Sequence, residues 1–151
     1  MPLYLVTSGY MIELVSIDLH ADPTDQRYAS LECQSLITQM HAFYDRVGFH
    51  PPWVGYFAIE AGTVVGTGGF AGVPRDGRVE VAYWTFKDHE GRGIATQVCR
   101  ILVELVMRED NSLEIIAKTA PERNASTIVL EKNGFKYKEV VQDHEIGDAW
   151  L

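Results

Sequence analysis

Cysteine is scarce. Cys33 and Cys99 are the only two in 151 residues, and each falls in a helix-like pattern. Two thiols so placed suit a reducing, cytoplasmic setting rather than a disulfide scaffold. A zinc cluster wants more ligands at closer spacing, so no metal is expected. Long apolar runs are missing too: nothing approaches the ~20 residues of a membrane span. The first residues lack a basic segment followed by an apolar stretch, so neither a membrane partner nor a secretory signal is expected. Positive charge is also in deficit, with 13 Lys and Arg against 21 Asp and Glu and a formal net charge of −8. That balance argues against nucleic acid and mildly favours a cationic partner such as an amine. Repeats, linkers and low-complexity tracts are absent. What remains is a chain 46% hydrophobic, enough for one ordinary core, read as a single domain over residues 1–151.

Periodicity divides that domain into elements. Residues 3–17 read as one or two strands around Ser8-Gly9, the stronger being Met11 to Val15. Asp22 is the expected cap of a helix with Pro23 in its first turn and Asp25 near its positive end. Leu36, Met40, Phe43 and Tyr44 share a stripe, so helix covers much of 24–45 in one or two pieces, and Gly48 closes it. The tract Phe49-His50-Pro51-Pro52-Trp53 is irregular, because adjacent prolines remove donors and force extended geometry. Val54–Ile59, Thr63–Ala71 and Arg78–Phe86 follow as strands separated by short turns, an antiparallel meander. Leu113 to Ala117 reads as a short buried strand and Pro121 to Lys132 as a helix capped by Asn124 and ended by Asn133-Gly134. Phe135–Val141 and Glu145–Leu151 are two final strands. The order β-α-α-β-β-β-α-β-α-β-β implies an α/β (α+β) sandwich around a mixed, mostly antiparallel sheet.

One stretch carries the chemistry. Val79 to Phe86 is dense in β-branched and aromatic residues, Lys87 to Glu90 is a polar turn, and Gly91-Arg92-Gly93-Ile94-Ala95-Thr96 opens a helix. Ile94, Val98, Ile101, Leu102 and Leu105 lie on one face of that helix. A strand, a glycine turn and a helix start together make an anion cradle. The first helical N–H groups lack intrahelical acceptors, the dipole is positive there, and glycine admits a phosphate close to the backbone. Arg92 adds a cation suited to phosphate oxygens.

The motif Glu90-Gly91-Arg92-Gly93-Ile94-Ala95 resembles the acetyl-CoA signature of the GNAT superfamily of N-acetyltransferases, with Glu90 where that signature has Gln or Arg. Downstream, Asn124-Ala125-Ser126 and Leu130-Glu131-Lys132-Asn133-Gly134-Phe135 resemble a segment of the ribosomal-protein N-terminal acetyltransferases. The resemblance implies acetyl-CoA as co-substrate and the GNAT fold, in which the strand before the cradle and the strand after the central helix splay apart to receive the pantetheine arm. It implies backbone bonds from Tyr83 and Thr85 to the acetyl carbonyl and pantetheine amides, pyrophosphate on Gly91, Arg92, Gly93, Ala95 and Thr96, and cofactor contacts from Asn124 and Ser126. An N–H aimed at the thioester oxygen would stabilise developing charge, which gives Tyr83 a catalytic place. The acceptor is then a small-molecule or peptide amine that attacks directly, and homodimers are common among such proteins.

An ammonium must lose a proton before it attacks, and Glu80, three residues before Tyr83, is the candidate base; a solvent-facing position on an alternating strand explains it equally well. Many relatives carry a tyrosine acid where this chain has Leu130. Trp84 and Phe86 are expected in sheet packing, Tyr28, Phe43 and Tyr44 in a helix stripe, His50 in solvent, and His89 near the cofactor. Two rival readings stand: a doubly wound nucleotide-binding module, which wants a third glycine where Thr96 sits, and a GNAT-like domain that only senses acetyl-CoA or scaffolds a partner.

Overall fold

The computed structural model describes residues 5–6, 11–19, 21, 25–118, 125–135, 140–143 and 147–150. Among them, strands β1 (Leu5–Val6), β2 (Ile12–Ser16), β3 (Gly55–Glu60), β4 (Thr63–Phe70), β5 (Arg78–Thr85) and β6 (Glu114–Ile116) form one sheet in that order. The first five pair antiparallel, whereas β5 and β6 run parallel. Such is the mixed, mostly antiparallel sheet that the sequence implies. β7 (Val140–Asp143) and β8 (Gly147–Trp150) make a separate antiparallel hairpin. The first of these begins later than expected, and residues 136–139 lie outside the described set.

Helix α1 (Leu31–Val47) covers one face of the sheet and α2 (Ile94–Glu109) the other, with α3 (Ala125–Lys132) beside α2. The first helical region comes in two pieces: Gln26–Tyr28 is a single 3-10 turn capped by Asp25, and α1 follows, capped by Ser30, whose hydroxyl accepts from the Cys33 N–H. The expected cap Asp22 lies outside the described residues; α1 itself starts directly after the Ser30 hydroxyl that caps it. Gly48, at φ 88, ends it.

The core has two halves. Ile94, Val98, Ile101, Leu102 and Leu105 of α2 are buried against Val65, Val79 and Val81, as the 3.6-residue period requires. Cys33, Leu36 and Ile37 of α1 pack on Val15, Phe57 and Phe86. Tyr28 belongs to this second half, its ring stacked on Phe57 at 4.3 Å. Tyr44 bridges α1 to the sheet: its hydroxyl donates to the Ile17 carbonyl at 2.8 Å and accepts from the Gly55 N–H at 3.0 Å. One expectation needs correction. β6 is only half-buried, because Glu114 faces solvent. Trp84 packs on the sheet against the buried Phe86, ring centroids 5.2 Å apart, while 52% of it stays exposed. No helix among the described residues is long and apolar enough to cross a membrane.

Candidate active site

Strand β5 is the centre of the site. Its alternation buries Val79 and Val81 beneath α2 and leaves Ala82 and Trp84 open on the α1 side. One edge pairs with β4 from Phe70↔Val81 to Gly66↔Thr85. On the other edge β6 pairs only with Arg78, Val79 and Glu80. Among the described residues the β6 ladder stops at Glu80, and none of Val81–Thr85 pairs with β6. An unladdered edge presents backbone donors and acceptors to any extended amide chain that enters.

Past β5 the chain makes one 3-10 turn, Lys87–His89, then reaches Gly91 at φ 79 and Gly93 at φ 78. Both sit in the left-handed region that glycine occupies without penalty, and a Cβ at either would meet nothing within 4 Å. Gly93 caps α2 with no side chain on the free N–H groups. The positive end of a 16-residue helix therefore opens into empty space. That space is a cleft of about 750 Å³ between the β5 edge, the start of α2 and the α3 residues Ile128, Val129 and Lys132. Asn133 ties its walls together, donating from its amide to the Thr96 carbonyl at 3.2 Å and the Val129 carbonyl at 3.0 Å.

Of the residues singled out in the sequence, Tyr83, Thr85, Glu90, Gly91, Gly93, Ile94, Ala95 and Thr96 line this cleft, and so does His89. Ile94 is 2% exposed, so it offers backbone rather than side chain. Arg92 is turned aside: its guanidinium donates to Glu60 Oε1 at 3.0 Å and to His89 Nδ1 at 3.1 Å, pinning the loop to the end of β3. Ser126 lies in α3, but its side chain, like all of Asn124, is outside the described residues. Glu80 borders none of the clefts described here; it sits at the laddered end of β5, where its carboxylate meets Lys118 Nζ at 3.5 Å. Lys132 escaped the sequence reading, although the Glu131-Lys132-Asn133-Gly134-Phe135 match contained it.

A second cleft, of about 560 Å³, lies on the opposite face between α1 and strands β4 and β5. Tyr83 and Trp84 border both clefts, so the two meet across β5. The sheet floor is bare because Gly55 and Gly69 pair there; a Cβ at Gly55 would come within 2.7 Å of Met40 Cε. Neither thiol is placed for nucleophilic work. Burial pushes the Cys99 thiol up to about 12, and Cys33 is buried with its thiol also raised, first by burial.

A family model described as the acetyltransferase (GNAT) domain matches residues 9–136. The chain belongs to the GNAT family. A curated relative, the uncharacterized N-acetyltransferase p20 of Bacillus licheniformis, is 30% identical over 87 residues, which are 57% of this chain and 49% of that protein. The chain thus spans about half the length of the curated relative it matches. Among solved structures, the ribosomal L7/L12 alpha-N-protein acetyltransferase RimL in complex with coenzyme A superposes with a TM-score of 0.71 at 16% identity, covering 97% of this chain and 95% of that one. The microcin C7 self-immunity acetyltransferase MccE, solved with acetyl-CoA and AMP, gives 0.69 at 16% identity over 94% and 91%. At such identities the shared property is the fold alone. The doubly wound alternative falls with it, since the meander leading into β5 is antiparallel.

Proposed function

We infer that this GNAT domain transfers an acetyl group from acetyl-CoA to a primary amine by direct attack in a ternary complex. The observation that carries the reading is the pair of clefts meeting at Tyr83 and Trp84, one of them ending on the bare start of α2. The residues present fit the cofactor. Gly91 and Gly93 leave the room a diphosphate needs, and the backbone amides of Ala95 and Thr96 stand where its charge would rest. Lys132 supplies a cation across the cleft, and the β5 edge past the β6 ladder suits the pantetheine amides. Bound acetyl-CoA supplies the activated acyl group.

Everything else is the chain's own work. β5 holds the Tyr83 backbone rigidly through its ladder to Gly68 and can present an N–H to a carbonyl oxygen without reorganisation. The α1-side cleft brings the amine to the same residue from the opposite face. Glu80 shares the face of Ala82 and Trp84 by alternation, and takes the ammonium proton through intervening water. Direct attack is the mechanism the family resemblance implies, and the burial of Cys33 and Cys99 supports it over an acetyl-enzyme on cysteine. A site in cytoplasm acting on a small-molecule or peptide amine, with no metal and no nucleic acid, completes the proposal, and a homodimer is compatible with it.

Calorimetry on Gly93→Glu tests the site: a side chain and a negative charge placed in the cradle should abolish acetyl-CoA binding, and unchanged affinity would refute it. One observation favours the rival reading of a sensor or scaffold. Leu130, where a general acid is found in many relatives, is 7% exposed hydrocarbon. Thiol release with a panel of amines separates the two, because a sensor binds acetyl-CoA and releases none.

A further inference from the structure

The α1-side cleft is chemically asymmetric. Its walls are apolar and aromatic: Met40 and Phe43 from α1, Phe70 from β4, Trp84 from β5. Among the described residues no carboxylate lines it, and the one cation is Arg46. That guanidinium lies over the Phe43 ring, 5.6 Å from its centroid, which holds the charge at the cleft wall. No carboxylate partner is found for it among the described residues. At the other end a smaller recess of about 250 Å³ continues the groove past Leu36 and Trp84 to Glu32. The groove is therefore acidic where Trp84 meets the cofactor cleft and basic at its far end.

Its length follows from the two walls. From Leu36 to Arg46 the helix rises ten residue steps, roughly 15 Å at 1.5 Å each. Trp84 pairs with Thr67, and Phe70 stands three residues further along β4, roughly 10 Å away. We propose, resting on the acetyl-transfer reading, that the acceptor is a zwitterionic small molecule of short-peptide size: an amine drawn to Tyr83, an apolar body on Phe43, Phe70 and Trp84, and an anionic group at the far end of the groove on Arg46. With Glu32 the one carboxylate lining the groove among the described residues and Arg46 at the far end, polycations are disfavoured, because their second and third ammonium groups would find no counter-charge.

The test compares three acceptors by thiol release with the full chain: the tripeptide Ala-Phe-Ala with a free carboxylate, its C-terminal amide, and spermidine. An exposed Arg–carboxylate pair is worth up to about fivefold, so kcat/KM for the acid should exceed that for the amide by about that factor, with spermidine poorest. Arg46→Gln should bring the acid-to-amide ratio to about one, and Arg46→Lys should preserve it. Acetyl-CoA calorimetry on both variants certifies that they are folded. A ratio that survives Arg46→Gln, spermidine as the best substrate, or no turnover of the tripeptide by a chain that acetylates another amine would each overturn this acceptor class. Failure of the unaltered chain to bind acetyl-CoA would instead overturn the reading beneath it.

Discussion

Gly68 offers the sharpest test of how the fold sets the site. A Cβ at this position would stand 2.4 Å from Val98 Cγ1 and 3.2 Å from Leu102 Cδ1. Carbon atoms settle at about 3.5–4.0 Å, so Gly68→Ala asks α2 to retreat by roughly 1 Å. Val98 cannot swing aside: it is 1% exposed, and a β-branched side chain in a helix has one favoured rotamer. Overpacking of this kind costs about 1–3 kcal/mol. For a chain of this size each kcal/mol lowers the thermal midpoint by about 2–4 °C. Val98→Ala alone should cost about 2 kcal/mol, from two buried methyl groups and the gap they leave. Together the changes relieve one another, so the double variant should be more stable than the sum of the singles by about 1 kcal/mol or more. The helix mouth at Ile94 lies one turn before Val98, so acetyl-CoA affinity should fall in Gly68→Ala and recover in the double variant. Urea denaturation of the four proteins gives the cycle. Strict additivity, or a Gly68→Ala protein as stable as the parent, would show that α2 is not held against β4 by this contact.

The other expectations concern chemistry more directly. Glu80→Gln should lower kcat by about 10²-fold while leaving acetyl-CoA affinity intact, since Glu80 lies outside both clefts; equal turnover across pH would remove it as the base. Lys132→Ala should weaken acetyl-CoA binding several-fold, by roughly 1 kcal/mol, with a shallower salt dependence; an unchanged salt slope would mean Lys132 meets no phosphate. Tyr44→Phe leaves the Ile17 carbonyl and Gly55 N–H without their buried partner and should cost about 1–3 kcal/mol at neutral pH. Burial pushes the Tyr44 phenol and the Cys99 thiol each up to about 12. Below their ordinary values both are protonated in either state. As pH rises towards about 12 the unfolded chain releases those protons first, so stability falls across that window. Tyr44→Phe combined with Cys99→Ala should flatten the decline in urea midpoint between neutral and strongly alkaline pH, and an equally steep decline would place its origin elsewhere.

Local physics made the β5–turn–α2 unit legible. A β-branched run, two glycines and a clean 3.6-residue stripe are properties of neighbours in the chain, and the structure returns Ile94–Glu109 with the stripe buried. The family signature falls on the same unit because an anion cradle is itself local. The first helix was less legible: Asp22, Asp25 and Ser30 are all competent caps, and the choice of Ser30 for α1 depends on which residues the sheet lets Leu36 and Ile37 reach. Arg92 shows the limit from the other side. Beside two cradle glycines it reads as a phosphate ligand, yet Glu60, thirty-two residues away in the chain, holds it at 3.0 Å.

The amino-acid order alone determined that a helix begins bare after a strand, which elements flank it, and that its buried cysteine serves packing rather than chemistry. Only the tertiary structure decided that the β6 ladder stops at Glu80, that Trp84 stands 52% exposed between two clefts, and that Arg46 lines the second cleft beside strands β4 and β5. The division has a physical cause. Helix ends and strand periods are set by contacts a few residues apart, whereas an open sheet edge and a charge at a groove's end depend on where distant segments come to rest.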